Sequence, residues 1–240
     1  MWIVTAHAGH EIESIESLWF DDNEIAAGNI SWGGGVTGGD YYINGTPYVA
    51  LYRNLGSSTQ TVITALDSAF ADITTNHRGR GIAYTAVKLT LDEESEKAFE
   101  SGAPSVIRAV MEGKNDIYDP RLDTSPGANP TNASYQAYTN NPALIAADYL
   151  RDTRIGMGIA DAKIDWQVIA DEANYCDELV PSSVAGTTET RFTCNAVLLT
   201  ADTHKMNLQA LLTSCNGRLV YKSGKYSVRA GRLGSGANLV

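Results

Sequence analysis

Cysteine is scarce in this 240-residue chain: Cys176, Cys194 and Cys215 are all it has. An odd number at wide spacing makes no disulfide framework, and no closely spaced pair announces a zinc site. The expectation is three reduced core thiols. Positive charge is also short. Lys and Arg number 18 against 28 Asp and Glu, for a formal net charge of −10. Such a chain has no electrostatic footprint for gripping phosphates, so nucleic-acid binding through a basic face is not expected. Long apolar runs are missing as well: no stretch approaches the ~20 residues of a membrane span. The N-terminus, Met1-Trp2-Ile3-Val4-Thr5-Ala6-His7, has no basic region followed by an apolar run. No signal peptide is read, and folding in a reducing cytoplasm is expected. The sequons at Asn29, Asn44 and Asn132 then carry no meaning.

What is present is enough for a core. Hydrophobic residues make up 43% of the chain and charged residues only 19%, which suits one large domain or two smaller ones and excludes a disordered or fibrous chain. The first half reads mainly as strand. Trp2–Ala6, Ile15–Phe20, Tyr41–Ile43 and Tyr48–Tyr52 are β-type runs, with Asn44-Gly45 as a hairpin turn signal. Thr59 is a candidate cap for a helix from Gln60 to Phe70. Ile82–Leu91 alternates as a strand, and Ser105–Met111 is another. The acidic run Asp92–Lys97 between them reads as a solvated loop or helical turn. Residues 119–140, poor in aliphatics and holding Pro120, Pro126 and Pro130, read as a long surface loop, a boundary or an extended arm.

The second half mixes helix and strand. Asn141-Pro142 announces a helix to about Arg151. Asp165 caps another, with Trp166, Ile169, Ala173 and Cys176 on one face. Arg191–Leu199 reads as a strand. Thr203–Cys215 reads as a helix stopped by Gly217. Leu219–Tyr221 and Tyr226–Val228 flank Ser223-Gly224 as a hairpin. No repeat period is visible. The expected class is α+β.

Residue patterns that carry chemistry are few. Gly33-x-Gly35-x-x-Gly38 has the dinucleotide spacing, but strand and turn residues follow where a helix N-terminus is required, so a flexible loop is expected. His7-x-x-His10 lacks a third ligand at short spacing, with Glu11 and Glu13 reading as surface charges. His77-Arg78-Gly79-Arg80-Gly81 is a basic island in an acidic chain, with a partner-facing role as one reading. No G-x-S-x-G elbow exists, and Gly234-Ser235-Gly236 reads as a flexible tail. The carboxylate pairs Asp21/Asp22, Asp116/Asp119 and Asp177/Glu178 allow a glycosidase on residue types alone, but in a chain with 28 acids solvated faces are the expected explanation. No catalytic, cofactor-binding or metal-binding residue is assigned.

From His77 onward a set of motifs appears in order: Tyr118-Asp119-Pro120-Arg121, Asn140-Asn141-Pro142-Ala143, Asp148-Tyr149-Leu150, Gly156-Met157-Gly158, Tyr175-Cys176-Asp177, Arg191-Phe192-Thr193-Cys194-Asn195, Leu211-Leu212 and Gly217-Arg218-Leu219-Val220-Tyr221. Together with Leu18-Trp19-Phe20-Asp21-Asp22, this set resembles the hub region of the lambda-like, J-type tip attachment proteins and related phage tail proteins. The resemblance implies a β-rich, barrel-like N-terminal hub domain, at residues 1–125, followed by a mixed helical and strand domain at 126–240. It implies a structural, non-enzymatic part of the virion tail tip, made in the host cytoplasm. Its expected partners are tail-tip and tail-tube proteins. It also implies a homotrimer whose domains form a pseudo-sixfold ring around a lumen through which DNA passes unbound. The downstream fibronectin-like modules and the distal receptor-binding tip of the full-length pattern are missing from this chain, so receptor contact is not expected of it. A tail-associated cell-wall hydrolase and a glycan- or receptor-binding module, the latter prompted by 12 Tyr and 4 Trp, are the competing readings.

Overall fold

The computed structural model describes residues 1–99 and 102–232. Helices and strands are both present, and the class is α+β. The chain divides into two compact units, Met1–Asn115 and Asp116–Val240. The division falls ahead of the boundary read at residue 125, so the proline-bearing stretch 119–140 belongs to the second unit.

Unit 1 contains β1 (Trp2–Ala8), β2 (Ile12–Phe20), β3 (Asn23–Ile25), β4 (Gly34–Gly35), β5 (Tyr42–Ile43), β6 (Thr46–Pro47), β7 (Val49–Leu55), α1 (Thr64–Ala69), β8 (Ala83–Leu89) and β9 (Ile107–Lys114). One antiparallel sheet runs β1-β8-β7-β4, a second runs β3-β2-β9, and β5-β6 is a separate hairpin. Asn44 and Gly45, both at positive φ, close that hairpin where the sequence placed it. The register of β2 on β9 shifts between Ile15 and Ser17. One extra residue there lets Ile15 and Leu18, three apart, both point inward, as do Leu18 and Phe20 at the ordinary spacing of two.

Both sheets feed one core, with Ile12, Leu18 and Phe20 from β2 against Leu51, Val87 and Leu89 from β7 and β8. The opposite side chains of β8, Tyr84 and Ala86, pack with Ile63 and Leu66 at α1. Among the described residues the strands form open sheets, with no closed barrel.

One local expectation in unit 1 is corrected, and the helical turn read for the acidic run is present. The helix read from Gln60 starts only at Thr64, with Ile63 at its cap position and no capping side chain. Thr59 instead pairs its hydroxyl with Ser57. Gln60 is drawn out of any helix by its own amide, which accepts from Gly56 N–H at 2.9 Å and donates to the carbonyls of Arg78 at 3.0 Å and Ile82 at 3.2 Å. The acidic run Glu93–Lys97 is a 3-10 turn, closed by reciprocal bonds between Asp92 and Ser95.

Unit 2 contains β10 (Ile117–Tyr118), β11 (Gln136–Ala137), α2 (Pro142–Arg151), α3 (Trp166–Asp177), β12 (Leu179–Pro181), β13 (Thr188–Thr190), α4 (His204–Thr213), β14 (Arg218–Lys222) and β15 (Lys225–Arg229). β10 and β11 pair across the long loop and tie its ends together. Inside the loop, Asp123 accepts from Tyr118 Oη at 2.6 Å and from the Asn129 N–H at 2.7 Å. Asn141 caps α2, accepting from Ala143 and Leu144, and its amide donates to Ala173 O of α3 at 2.9 Å. One side chain thus starts one helix and docks it on the next.

Asp165 caps α3 as read from sequence, and Thr203, read as the start of a helix, caps α4. Leu144, Leu150, Ile164, Ile169, Leu211 and Val228 meet in a single core. The strand read over Arg191–Leu199 is corrected: regular pairing stops at Thr190, and the chain runs on from Phe192 to Leu199 with no ladder. Its backbone donors are spent singly, Phe192 N–H on Cys176 O and Cys194 N–H on Asn140 O, so no strand lies alongside.

Candidate functional site

Charge in unit 2 concentrates around α3 and the β14–β15 hairpin. Glu172 sits on the buried side of α3 with no exposed surface. Its Oε1 accepts from Arg229 Nη1 at 2.7 Å and from Arg232 Nη2 at 3.0 Å, and its Oε2 accepts from the Ala230 N–H at 3.1 Å. A buried carboxylate survives only when its oxygens are filled in this way. Next to it on α3, Tyr175 presents its ring to two guanidinium groups, Arg232 at 4.4 Å and Arg191 at 4.6 Å from the centroid. Arg191 also reaches Glu178 at 2.6 Å.

A second clamp stands on the same helix. Arg121 holds Asp119 at 2.7 Å and Asp177 at 2.7 Å, and these two carboxylates hold its pKa above the ordinary guanidinium value. The Asp119 and Asp177 members of the two sequence pairs are therefore brought together as counter-ions of one arginine, while Glu178 turns to Arg191.

The hairpin itself is cationic. Between residues 218 and 232 stand Arg218, Lys222, Lys225, Arg229 and Arg232, with no Asp or Glu, in a chain of net charge −10. The register sets Arg218 opposite Arg229 and Lys222 opposite Lys225. Like charges facing each other across a ladder are unfavourable, which makes their presence chemically informative. Arg229 and Arg232 answer to Glu172, whereas no carboxylate among the described residues pairs with Arg218, Lys222 or Lys225. The other face of the hairpin carries Tyr221 and Tyr226, ring centroids 4.7 Å apart. The arrangement can recognise negative charge; it holds no nucleophile beside a base.

The other residues singled out from sequence lie elsewhere. His7 Nε2 bonds Thr85 Oγ1 at 2.9 Å and His10 Nδ1 bonds Glu11 O at 2.9 Å, so the two rings serve separate partners. Burial lowers the His7 pKa. Among the described residues no three His, Cys, Asp or Glu side chains gather as a metal site. Gly34 and Gly35 are paired as β4 against β7, so the glycine-rich stretch is sheet there and not the flexible loop expected. A Cβ on Gly35 would meet the Pro47 ring, which explains glycine at that point. Asp21, at φ 52, caps the start of β9: its carboxylate accepts from Ser105 Oγ and Val106 N–H, and these bonds lower its pKa. Asp22 makes an exposed ion pair with Arg108.

The basic island in unit 1 curls on itself, Arg78 Nε donating to Thr75 O and Arg80 Nε to Gln60 O. No carboxylate among the described residues pairs with either arginine. The three thiols are buried and free; the neighbouring Cys215 thiol and burial raise the Cys176 pKa, and burial raises that of Cys194. Gly234-Ser235-Gly236 lies outside the described residues. Sequence reading passed over Glu172, Arg229 and Arg232, although the acid-free basic run 218–232 was there to be counted.

No protein-family model matches the chain, and no curated protein matches it.

Proposed function

We propose that the chain is a structural part of a phage tail tip, a hub component that works by assembly and not by catalysis. The observation that carries this reading is where the hub-like motifs fall. Arg121 clamps the loop to α3, Asn141 docks α2 on α3, Cys176 and Cys194 fill the core, and Gly217 sits where a Cβ would press on Cys215 Sγ. Gly156 follows α2 so closely that a Cβ there would overlap the Tyr149 carbonyl. These residues are joints spread through one unit, as a scaffold requires, and they do not converge on a reacting centre.

In this reading unit 1 is the ring-forming domain, its two open sheets contributing to the ring, the full protein is a homotrimer, and its neighbours are tail-tip and tail-tube proteins. Its acidic surface suits a lumen through which DNA slides, because a basic lining would hold phosphates in place. Deleting the gene from a phage that encodes it tests the proposal. Electron microscopy of the lysate should show heads without attached tails, or tails lacking the tip. Particles of normal form and infectivity would overturn it.

A further inference from the structure

β14 is an edge strand with one side unpaired. The two-residue turn Ser223-Gly224 makes Lys222 and Lys225 the closing hydrogen-bonded pair, so Val220–Ser227 and Arg218–Arg229 are bonded pairs and Leu219 and Tyr221 face outward. The phase is visible on the other strand: Tyr226, opposite Tyr221, uses its outward carbonyl to accept from Asp165 N–H at 2.8 Å. β15 is thereby covered, while the outward N–H and C=O groups of Leu219 and Tyr221 meet no partner among the described residues. The root of the hairpin is fixed by the Glu172 bonds to Arg229 and Ala230 and by Gly231 N–H to Cys215 O at 2.9 Å, so the edge is held in place before anything binds.

An open edge accepts a strand, and its side chains select which one. Arg218 and Lys222 project from one face of β14, exposed and unpaired by any carboxylate among the described residues. They repel another copy of the same edge and any basic segment. A strand with carboxylates on that face would instead give opposite-charge lateral neighbours at both positions. On the other face the exposed Tyr221 ring offers an apolar surface to the residues between. We propose that β14 is a docking edge for an extended acidic segment of another protein, which adds as a further strand and sets its carboxylates beside Arg218 and Lys222. Duplex DNA fits less well, since it satisfies the cations but leaves the backbone edge open. The inference does not rest on the tail-tip reading, and its test needs no virion.

The test uses the full chain and a fluorescein-labelled synthetic peptide in which Glu alternates with Val, followed by anisotropy. Binding is expected, weakening as salt rises. Tyr221→Pro removes an outward N–H without touching a ladder bond and should weaken binding about tenfold more than Tyr221→Thr, which keeps the N–H. Arg218→Glu with Lys222→Glu should exchange preference to a Lys/Val peptide. A peptide N-methylated on the residues facing β14 leaves the protein unaltered and should not bind, which covers the case in which a variant fails to fold. Absence of binding by the Glu/Val peptide would overturn the proposal. So would equal binding of the methylated peptide, or tighter binding of duplex DNA that displaces the peptide and is indifferent to Tyr221→Pro.

Discussion

Replacing Glu172 by Gln tests the electrostatic joint between α3 and the hairpin. The side chain keeps its shape and loses its charge. If the amide oxygen takes the Oε1 position, the amide N–H₂ faces the Ala230 N–H; if it is turned over, it faces Arg229 and Arg232. Donor meets donor either way. The Ala230 N–H lies inside the core and would lose its acceptor, at about 1–3 kcal/mol. The lost charge-assisted bonds would count for about 1.5–3 kcal/mol if buried. Arg229 and Arg232 are, however, 43% and 54% exposed, so water replaces much of what they lose and that share falls below about 1 kcal/mol. The expected destabilisation is about 2–3 kcal/mol. Urea unfolding of fluorotryptophan-labelled protein reads it by fluorine NMR, because Trp166 is the tryptophan of unit 2 while Trp2, Trp19 and Trp32 belong to unit 1. The Trp166 midpoint should fall. A midpoint that does not move would refute the view that Glu172 holds the hairpin root.

Gly156→Ala places a methyl group against the Tyr149 carbonyl and 2.8 Å from the Asp152 carbonyl, both backbone atoms; the Trp166 midpoint should show a loss of about 1–3 kcal/mol. Burial holds the His7 pKa below its ordinary 6.5, so the unfolded chain takes up a proton that folded unit 1 refuses. Unit 1 stability should be lost as pH falls through about 6.5 toward the lower folded value, and His7→Gln should flatten that slope in the Trp19 signal. Thiol titration without reductant should find all three cysteines in denatured protein and a slow reaction in the native chain, where all are buried; a protected pair would contradict this.

What the sequence made legible was local. Asn141-Pro142, Asp165, Thr203, Asn44-Gly45 and Ser223-Gly224 act within a few residues of themselves, and each works where it was read. The failures come from partners distant in the chain. Thr59 and Gln60 look like a helix start, but the Gln60 amide is taken by backbone some 20 residues away. Arg191–Leu199 has strand composition, yet no neighbouring strand lies alongside it, and Val197 is left 87% exposed. The charged joint was out of reach because Glu172 meets Arg229, Ala230 and Arg232 across 57 to 60 residues. Only the one-sided charge of residues 218–232 hinted at it.

Immunogold labelling of intact virions with an antibody raised to this chain tests the central claim most directly. The account predicts gold confined to the tail tip, on the tube axis. Gold on the capsid or along the tail shaft, or virions left unlabelled by an antibody that detects the protein in the same lysate, would contradict it.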